Sequence, residues 1–194
     1  MATSRGDTRR TAIVQAALEV FAGHRHNTAT FQTIADVAGV SVGAIQHHFG
    51  SKEKLIAAVD THVLETIDAA MSHPAPAGPA EVGQRVRVLV EDHLPVLDYL
   101  ARQLVDDGPV GHAVFDAMAV SGVERWTHLA EIGHAREGLD TVWAGLNPLV
   151  LVLGVIILRR HLDRHLPESF VTATQFSRWE QAMNALISQG QLRH

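Results

Sequence analysis

The sequence predicts an all-α protein of about nine helices, with a small N-terminal domain joined to a larger helical domain. Apolar residues recur at three- and four-residue spacing along nearly all of the 194 residues. No alternating strand pattern of useful length occurs. A Pro- and Ala-rich segment, residues 73–80, must end a helix because each proline removes a backbone donor. We place the domain boundary between residues 1–54 and 55–194.

The first four helices are marked mainly by the residues that can cap them. The first helix carries an apolar stripe over residues 13–21. Thr30 is a suitable N-cap for the second helix, and Gly39 can turn the chain out of that helix. Ser41 and Ser51 are the N-caps predicted for the third and fourth helices.

Five further helices are predicted after the fourth. They span residues 81–94, 96–107, 110–136, 139–164 and 168–189. Pro95 marks a kink or boundary between the first two of these, and the Asp-Gly-Pro run at 107–109 marks a stop. The whole pattern is typical of a helical bundle.

Composition excludes some classes of protein and separates two regions of charge. The hydrophobic fraction of 46% suffices for a core, and the absence of cysteine excludes disulfides and thiolate metal sites. The net charge is −5, but residues 1–54 carry six basic and four acidic residues, giving +2. Residues 55–194 carry ten basic and seventeen acidic residues, giving −7. A cationic head on an anionic body would face a polyanion.

The N-terminal segment and the most apolar segment indicate where in the cell the protein is expected. The N-terminus is polar and basic with no apolar run behind it, so we expect no secretory signal and a cytoplasmic protein. The longest uninterrupted apolar run, residues 149–158, has ten residues, whereas a membrane span needs about twenty. We therefore interpret it as a buried helix.

Residues 39–55, GVSVGAIQHHFGSKEKL, predict a helix-turn-helix. Ile45 and Phe49 are four residues apart and can hold the third helix against a core. The small residues Gly43 and Ala44 permit close approach to a sugar-phosphate backbone. Any helical bundle can contain a short helix bounded by Gly and Ser, so the pattern alone leaves that alternative open.

The polar residues of this segment have the chemistry of DNA recognition. The amide of Gln46 can pair with an adenine edge, and His47 or His48 can donate to phosphate or base. Lys52, with the amide groups at the start of the fourth helix, offers a phosphate anchor.

Residues 12–58 resemble the DNA-binding domain of the TetR family of transcriptional regulators. The segments that carry the resemblance are AALEVFA, TIADVAGVS and GAIQHHFGSKEKL. The resemblance implies that Ser41 is a cap and that the groove-facing residues are Val42, Ala44, Gln46 and His47. It also implies phosphate contacts from Thr30, His48 and Lys52.

The sequence departs from the family pattern at three places. Gln46 stands where the family usually has tyrosine. Val42 replaces a frequently polar residue, and Arg25 and His26 replace the Gly-Tyr pair that usually closes the first helix.

The resemblance further implies a small-molecule pocket and a dimer interface of two C-terminal helices in the larger domain. The helices predicted over residues 139–164, which is strongly apolar, and 168–189 suit the dimer role. Polar or aromatic candidates for the pocket are His93, Tyr99, Arg102, Phe115, Trp126, His128 and Trp143. The apolar make-up favours a lipophilic effector. Candidates for the dimer interface are Phe176, Trp179, Met183, Leu186 and Ile187. The alternative for these five is intramolecular core.

We therefore expect a homodimeric, ligand-responsive regulator, in the first place a repressor, that binds a palindromic double-stranded DNA operator without a cofactor. The sequence lacks the GxSxG, P-loop, GxGxxG and HExxH motifs, so we expect neither catalytic residues nor an enzyme. One alternative is a sequestering protein with a degenerate DNA-binding head. Another is a metal-responsive regulator built on His161 and His165, although a zinc site needs three or four ligands.

Overall fold

The computed structural model describes residues 5–23, 28–72 and 80–192. Within these ranges every regular element is a helix, which confirms the predicted fold class. The helices are α1 (Arg5–Gly23), α2 (Phe31–Ala38), α3 (Val42–Phe49), α4 (Lys52–Met71), α5 (Ala80–Asp92), α6 (Leu94–Val105), α7 (Pro109–Glu131), α8 (Thr141–Ile157), α9 (Arg159–Leu162) and α10 (Ala173–Gln191). Most of the predicted linker, residues 73–79, and the Arg25–His26 pair lie outside the described residues.

The caps predicted for the N-terminal helices are confirmed. The side-chain oxygens of Thr30, Ser41 and Ser51 each accept a hydrogen bond from the backbone N–H three residues later, at 3.1, 3.2 and 3.4 Å. Gly39 takes the left-handed conformation, with φ 65°, and its N–H donates to the carbonyl of Ala35. Since a side chain with a Cβ disfavours that conformation, glycine fixes the turn between α2 and α3.

The prediction of one helix over residues 139–164 is wrong. The carboxylate of Asp140 accepts hydrogen bonds from the N–H groups of Val142 and Trp143, at 3.0 and 3.1 Å, so α8 begins only after this cap. The chain leaves the α8 helix at Leu158, and the four-residue α9 follows. This break accounts for ten described helices where the sequence predicts about nine.

Two other predicted boundaries are also displaced. The helix predicted over 110–136 ends at Glu131, because Gly133 adopts φ 75° and turns the chain. The helix predicted over 168–189 begins at Ala173, where the hydroxyl of Thr172 accepts a hydrogen bond from the N–H of Gln175. Both errors come from extending an apolar pattern past a local terminator.

A proline inside α8 is accommodated by a side chain from α10. Pro148 has no N–H, so it cannot donate to the carbonyl of Ala144 four residues earlier. The side-chain Nε2 of Gln191 lies 3.4 Å from that oxygen and donates to it. The backbone N–H of Arg136 in turn donates to the carbonyl of Gln191 at 2.9 Å. The end of α10 is thereby fastened to α8 and to the α7–α8 loop.

Helices α7 and α8 approach each other closely at a pair of glycines. A Cβ built on Gly145 would lie 2.6 Å from the backbone N of Val123, and one built on Gly122 would lie 3.0 Å from the carbonyl oxygen of Gly145. Backbone atoms cannot move aside as a flexible side chain can. The absence of side chains at both positions therefore permits this helix pair.

Helix α4 joins the N-terminal helices to the rest of the chain. The predicted domain boundary at residues 54/55 falls inside it. Its buried residues Leu55, Val59, Val63 and Ile67 belong to one hydrophobic core that runs from α1 to α10. The helix packs against α1 and α3 on one side of that boundary and against α5, α6 and α7 beyond it.

We expect Gly145→Ala to destabilise the protein, because the added methyl group meets backbone atoms of α7. Overpacking of this kind costs about 1–3 kcal/mol. The matched control is Gly154→Ala in the same helix, where an added Cβ meets nothing within 4 Å. Since alanine favours a helix over glycine by up to about 1 kcal/mol, this control should be neutral or stabilising. Urea unfolding at one protein concentration measures both, and equal effects of the two changes would contradict the packing described.

Candidate nucleic-acid interface and internal cavity

The third helix presents one face to the core and another to solvent. Ile45 and Phe49 are 0% and 6% exposed and pack under the helix, as the sequence predicts. Gln46 and His47 are exposed, and His48 is half-buried with its ring centroid 5.6 Å from that of His47. The outward face of α3 is thus polar and accessible.

The residues around the turn complete this surface. Thr30, Ser41 and Gly43 are exposed, and Val42 and Ala44 are half-buried. The hydroxyl of Thr30 lies 2.9 Å from that of Thr33, so two hydroxyl groups meet at the start of α2. We give the name recognition surface to the residues for which the sequence predicts DNA contact: Thr30, Ser41, Val42, Gly43, Ala44, Gln46, His47, His48 and Lys52. That they contact DNA stays a prediction.

Lys52 has a contact that the sequence did not reveal. Its Nζ donates to the backbone carbonyl of Ala29 at 2.6 Å and so ties the start of α4 to the segment before α2. An ammonium group has three donors, so one bond to a carbonyl leaves others for a phosphate. Lys52 therefore holds the helix-turn-helix together as well as carrying charge to its surface.

The predicted phosphate anchor at the start of α4 is partly occupied by the chain itself. The hydroxyl of Ser51 accepts from the N–H of Lys54. The backbone N–H of Glu53 and the side chain of Ser51 lower the pKa of the exposed Glu53 carboxyl. That carboxylate is ionised at neutral pH, and its negative charge offsets part of the positive electrostatic potential at the N-terminus of α4.

Arg10 of α1 is a residue near this surface that the sequence reasoning missed. Its guanidinium carbon lies 5.1 Å from the centre of the Phe49 ring at the end of α3. The sequence showed a basic pair, Arg9 and Arg10, and counted its charge. The direction in which α1 carries that charge depends on the packing of α1 against α2 and α4, which no local pattern contains.

A cavity of about 890 Å³ lies in the body of the protein, between α4, α5, α7, α8 and α10. Most of its lining is apolar, including Ile67, Met118, Leu149 and Ile187. Its size falls within the roughly 300–1,000 Å³ usual for small-molecule sites.

Two of the seven predicted pocket residues, Trp126 and His128 of α7, line this cavity. The other five do not. Trp143 is 58% exposed on the outside of α8. His93 occupies the N-cap position of α6, and Phe115 is half-buried on α7.

Tyr99 and Arg102 instead join helices. Tyr99 is fully buried, and its hydroxyl donates to a carboxylate oxygen of Asp60 in α4 at 2.6 Å. Burial, followed by the hydrogen bond to Asp60, raises the pKa of Tyr99, so the phenol stays protonated. Nη2 of Arg102 lies 3.3 Å from the carbonyl oxygen of Ala22 in α1 and donates to it. The identity of an aromatic or polar residue in a helix does not by itself predict which other helix that residue contacts.

The cavity also contains charged residues that the sequence did not single out. Asp68, Arg85 and Arg125 line it, from α4, α5 and α7. Each lies in a segment correctly predicted as helix. A helical pattern locates such residues on the helix but does not bring three helices to one site.

The dimer prediction needs correction for three of its five residues. Phe176, Met183 and Ile187 are 1%, 2% and 7% exposed within the single chain, so they belong to its core. Trp179 is half-buried, with its ring centre 5.4 Å from that of Phe176. Leu186 alone of the five is largely exposed, at 65%.

Helix α8 exposes apolar residues, although the sequence predicts a buried helix over residues 149–158. The apolar side chains exposed along its outer side and just after its end are Val142, Trp143, Val150, Leu151, Ile157 and Leu158. Together with Leu186 of α10 we call them the outer apolar face. Such a face on a folded chain is typical of an interaction surface.

The described part of the chain bears on two expectations, that of no metal site and that of no membrane span. No group of three or more His, Asp or Glu residues that could hold a metal occurs there. Of the two histidines considered for a metal, His161 accepts a hydrogen bond at its Nδ1 from Nη2 of Arg164, at 2.8 Å. None of the helices described is long and apolar enough to cross a membrane.

Comparison with known proteins agrees with this geometry. Residues 13–59 match the family model described as bacterial regulatory proteins, tetR family. The chain is 30% identical over 111 residues to the HTH-type transcriptional regulatory protein RaaS of Mycobacterium tuberculosis, an alignment that covers 57% of this chain and 52% of RaaS. It is 40% identical over 62 residues to the HTH-type transcriptional repressor AcnR of Corynebacterium efficiens, covering 30% of this chain and 33% of AcnR. The chain thus matches about half, or less, of the length of these relatives.

A solved structure extends the likeness to the whole fold. The TetR family protein CprB from S. coelicolor A3(2) superposes with a TM-score of 0.74 over 98% of this chain and 92% of that chain, at 18% sequence identity. At such identity the likeness concerns the fold alone. Residues 13–59 therefore form a helix-turn-helix domain of the tetR family of bacterial regulatory proteins, and the chain as a whole shares the helical fold of CprB.

Proposed function

We propose that the chain is a ligand-responsive transcriptional repressor that binds a palindromic DNA operator as a homodimer. The observation that carries the proposal is α3, which the buried Ile45 and Phe49 hold down while Gln46 and His47 face outward. These residues lie inside the segment that matches the family model. TetR regulators are transcription factors and not enzymes, so the chain is not an enzyme. AcnR, to which the chain is 40% identical over 62 residues, is named a repressor.

In the proposed complex α3 lies in the major groove. The amide of Gln46 is suited to the N6 and N7 edge of adenine, and His47 is placed to contact a base or phosphate. Thr30, His48 and Lys52 would contact phosphates on either side and fix the register without reading sequence. Such a protein works in the cytoplasm, where bacterial DNA is accessible.

The proposed dimer uses the outer apolar face. A two-fold axis beside α8 and α10 would bury Val150 and Leu151 of one protomer against the same helix pair of its partner, since an isologous interface is self-complementary. Two such protomers would present their α3 helices to successive major grooves, about 34–36 Å apart. The two-fold symmetry of such a dimer is why we expect a palindromic operator, with half-sites one helical turn apart.

The proposed ligand response depends on α4. Its last turns line the cavity through Ile67 and Met71, while its first turn carries Lys52 of the recognition surface. A ligand changes DNA affinity only if it binds one arrangement of the chain more tightly than another. A ligand pressed against α4 favours an arrangement in which the two recognition helices no longer match the operator.

We expect Gln46→Ala to change sequence preference more than overall affinity. Selection of binding sites from random DNA, followed by sequencing, should yield a palindrome for the parent protein and relaxed preference at one base pair of each half-site for the variant. The discrimination lost corresponds to about 1–3 kcal/mol per base contact. The control is Gln15→Ala on the exposed side of α1, which should recover the parent palindrome. Failure of the parent protein to enrich any sequence would favour the sequestering alternative.

Lys52→Ala should weaken binding to all DNA sequences and also lower the thermal stability of the protein. The change removes one phosphate contact, which reduces the slope of log affinity against log salt by about one. It also leaves the carbonyl of Ala29 without its 2.6 Å partner. The control is Lys54→Ala, because Lys54 is exposed and its loss should leave the melting temperature nearly unchanged. Weakened binding to one sequence alone would exclude a phosphate role for Lys52.

Leu186→Glu and Leu151→Glu should each convert the dimer to a monomer. Both side chains are exposed in the single chain, so the changes cost little in folding, but a dimer would bury their charge without a partner. Val37→Glu is a matched control, because Val37 is 50% exposed, between Leu151 at 41% and Leu186 at 65%, and lies on α2, which packs on α1 and α3. Sedimentation velocity at micromolar concentration measures the mass, and a dimer that survives both changes would rule out this interface.

A further inference from the structure

The charge of the cavity differs from that of the domain around it. Residues 55–194 have a net charge of −7. Among the described residues that line the cavity, Arg85 and Arg125 carry two guanidinium groups and His128 an imidazole, against the single carboxylate of Asp68. In an anionic domain, a chance sample of side chains would have the opposite balance.

The remainder of the lining restricts what else the ligand can be. It includes aliphatic and thioether side chains from three helices, among them Leu64, Met71, Met118, Leu129 and Val152. Such a surface favours an apolar body by excluding it from water. A small polar anion, such as free phosphate, would satisfy the arginines and leave most of the cavity unfilled.

The arginines can receive an anion even though they also interact within the chain. A guanidinium has five N–H donors in a planar fork, which matches the two oxygens of a carboxylate. Arg87, two residues after Arg85 on α5, is used differently: its Nη2 donates to Glu180 of α10 at 2.6 Å and to Ser177 at 3.2 Å. This ion pair fixes α5 on α10, so that Arg85 is carried to the cavity by a restrained helix.

We propose that the effector is an anionic amphiphile with a lipophilic body and one carboxylate, which Arg85 and Arg125 receive. The inference rests on the proposed function, since it names the chemical class of ligand for the cavity of that regulator. The lipophilic body packs along α4, α7 and α8, and the carboxylate bridges α5 to α7. A neutral molecule of the same shape fills the apolar part but gives the guanidinium groups no counter-charge in place of the water it displaces.

Matched ligands test the charge requirement on the unaltered protein. The probes are straight-chain alkanoates from decanoate to hexadecanoate, and the corresponding alkanols, all below their aggregation concentrations. Isothermal titration calorimetry should give affinities at least about tenfold higher for each alkanoate than for the alkanol of equal length, as expected for charge-assisted hydrogen bonds. Equal affinities within each pair, or no binding of any alkanoate, would overturn the proposal.

Substitutions then identify the receiving groups. Arg85→Gln and Arg125→Gln should each lower alkanoate affinity about tenfold and leave alkanol affinity unchanged. Arg160→Gln, an exposed arginine outside the cavity, is the control and should change neither. A parallel loss of alkanoate and alkanol binding would mean that the arginines only shape the cavity. Unfolding temperatures show whether each variant is folded. If one is not, the comparison of alkanoates with alkanols on the unaltered protein still decides the proposal.

A fluorescence measurement locates the ligand. Trp126 lines the cavity, whereas Trp143 and Trp179 do not. In a Trp143→Phe, Trp179→Phe protein, bound alkanoate should therefore change the emission of Trp126. Unchanged emission despite calorimetric binding would place the alkanoate elsewhere and contradict the proposal.

These titrations contain no DNA, so they can fail while operator binding succeeds. Alkanoate binding in the cavity without any change in operator affinity would support the ligand class and contradict the ligand response in the proposed function.

Discussion

The continuity of α4 is the constraint on which the rest of the structure depends. One helix from Lys52 to Met71 holds the recognition surface at its first turn and a cavity wall at its last. Leu55 and Val63, both fully buried, anchor it among the N-terminal helices and in the body. Because no loop separates these anchors, α4 offers a continuous connection through which the proposed ligand response could reach the N-terminal helices.

Helix α6 limits how α4 can move. The buried hydroxyl of Tyr99 donates to Asp60, and the guanidinium of Arg102 donates to the carbonyl of Ala22. Nη2 of Arg159 also donates to Asp98 of α6 at 2.6 Å, so α6 is tied to α9 as well as to α1 and α4. The buried phenol is an obligatory donor in this arrangement, since burial raises its pKa and keeps the proton in place. Helix α6 is therefore bonded to α1, α4 and α9, so that it links the N-terminal helices to the body of the protein.

The sequence predicted those features whose physical causes lie within a few residues of one another. Thr30 and Ser41 cap their helices, Gly39 turns the chain, and Ile45 and Phe49 face inward because each outcome depends on local spacing and conformation. Features that depend on contacts far along the chain were not predicted. Tyr99 was assigned to the pocket because it is aromatic, yet its partner lies 39 residues away; Arg85 was overlooked although it reaches the cavity. Similarly, an apolar stretch in α8 indicated burial, and only the packing shows that Val150 and Leu151 stay exposed.

The two sides of α8 bring the cavity and the proposed dimer into one element. Gly145, Pro148, Leu149 and Val152 recur on the side that lines the cavity, while Trp143, Val150 and Leu151 face outward. Pro148 withholds a hydrogen bond from Ala144, and Gln191 supplies it, so the geometry of α8 at the cavity is set partly by α10. The glycine contact with α7 leaves no space for α8 to move inward. In the proposed dimer, a ligand too large for the cavity would therefore displace α8 outward or α4 sideways, and either movement would alter the distance between the two α3 helices.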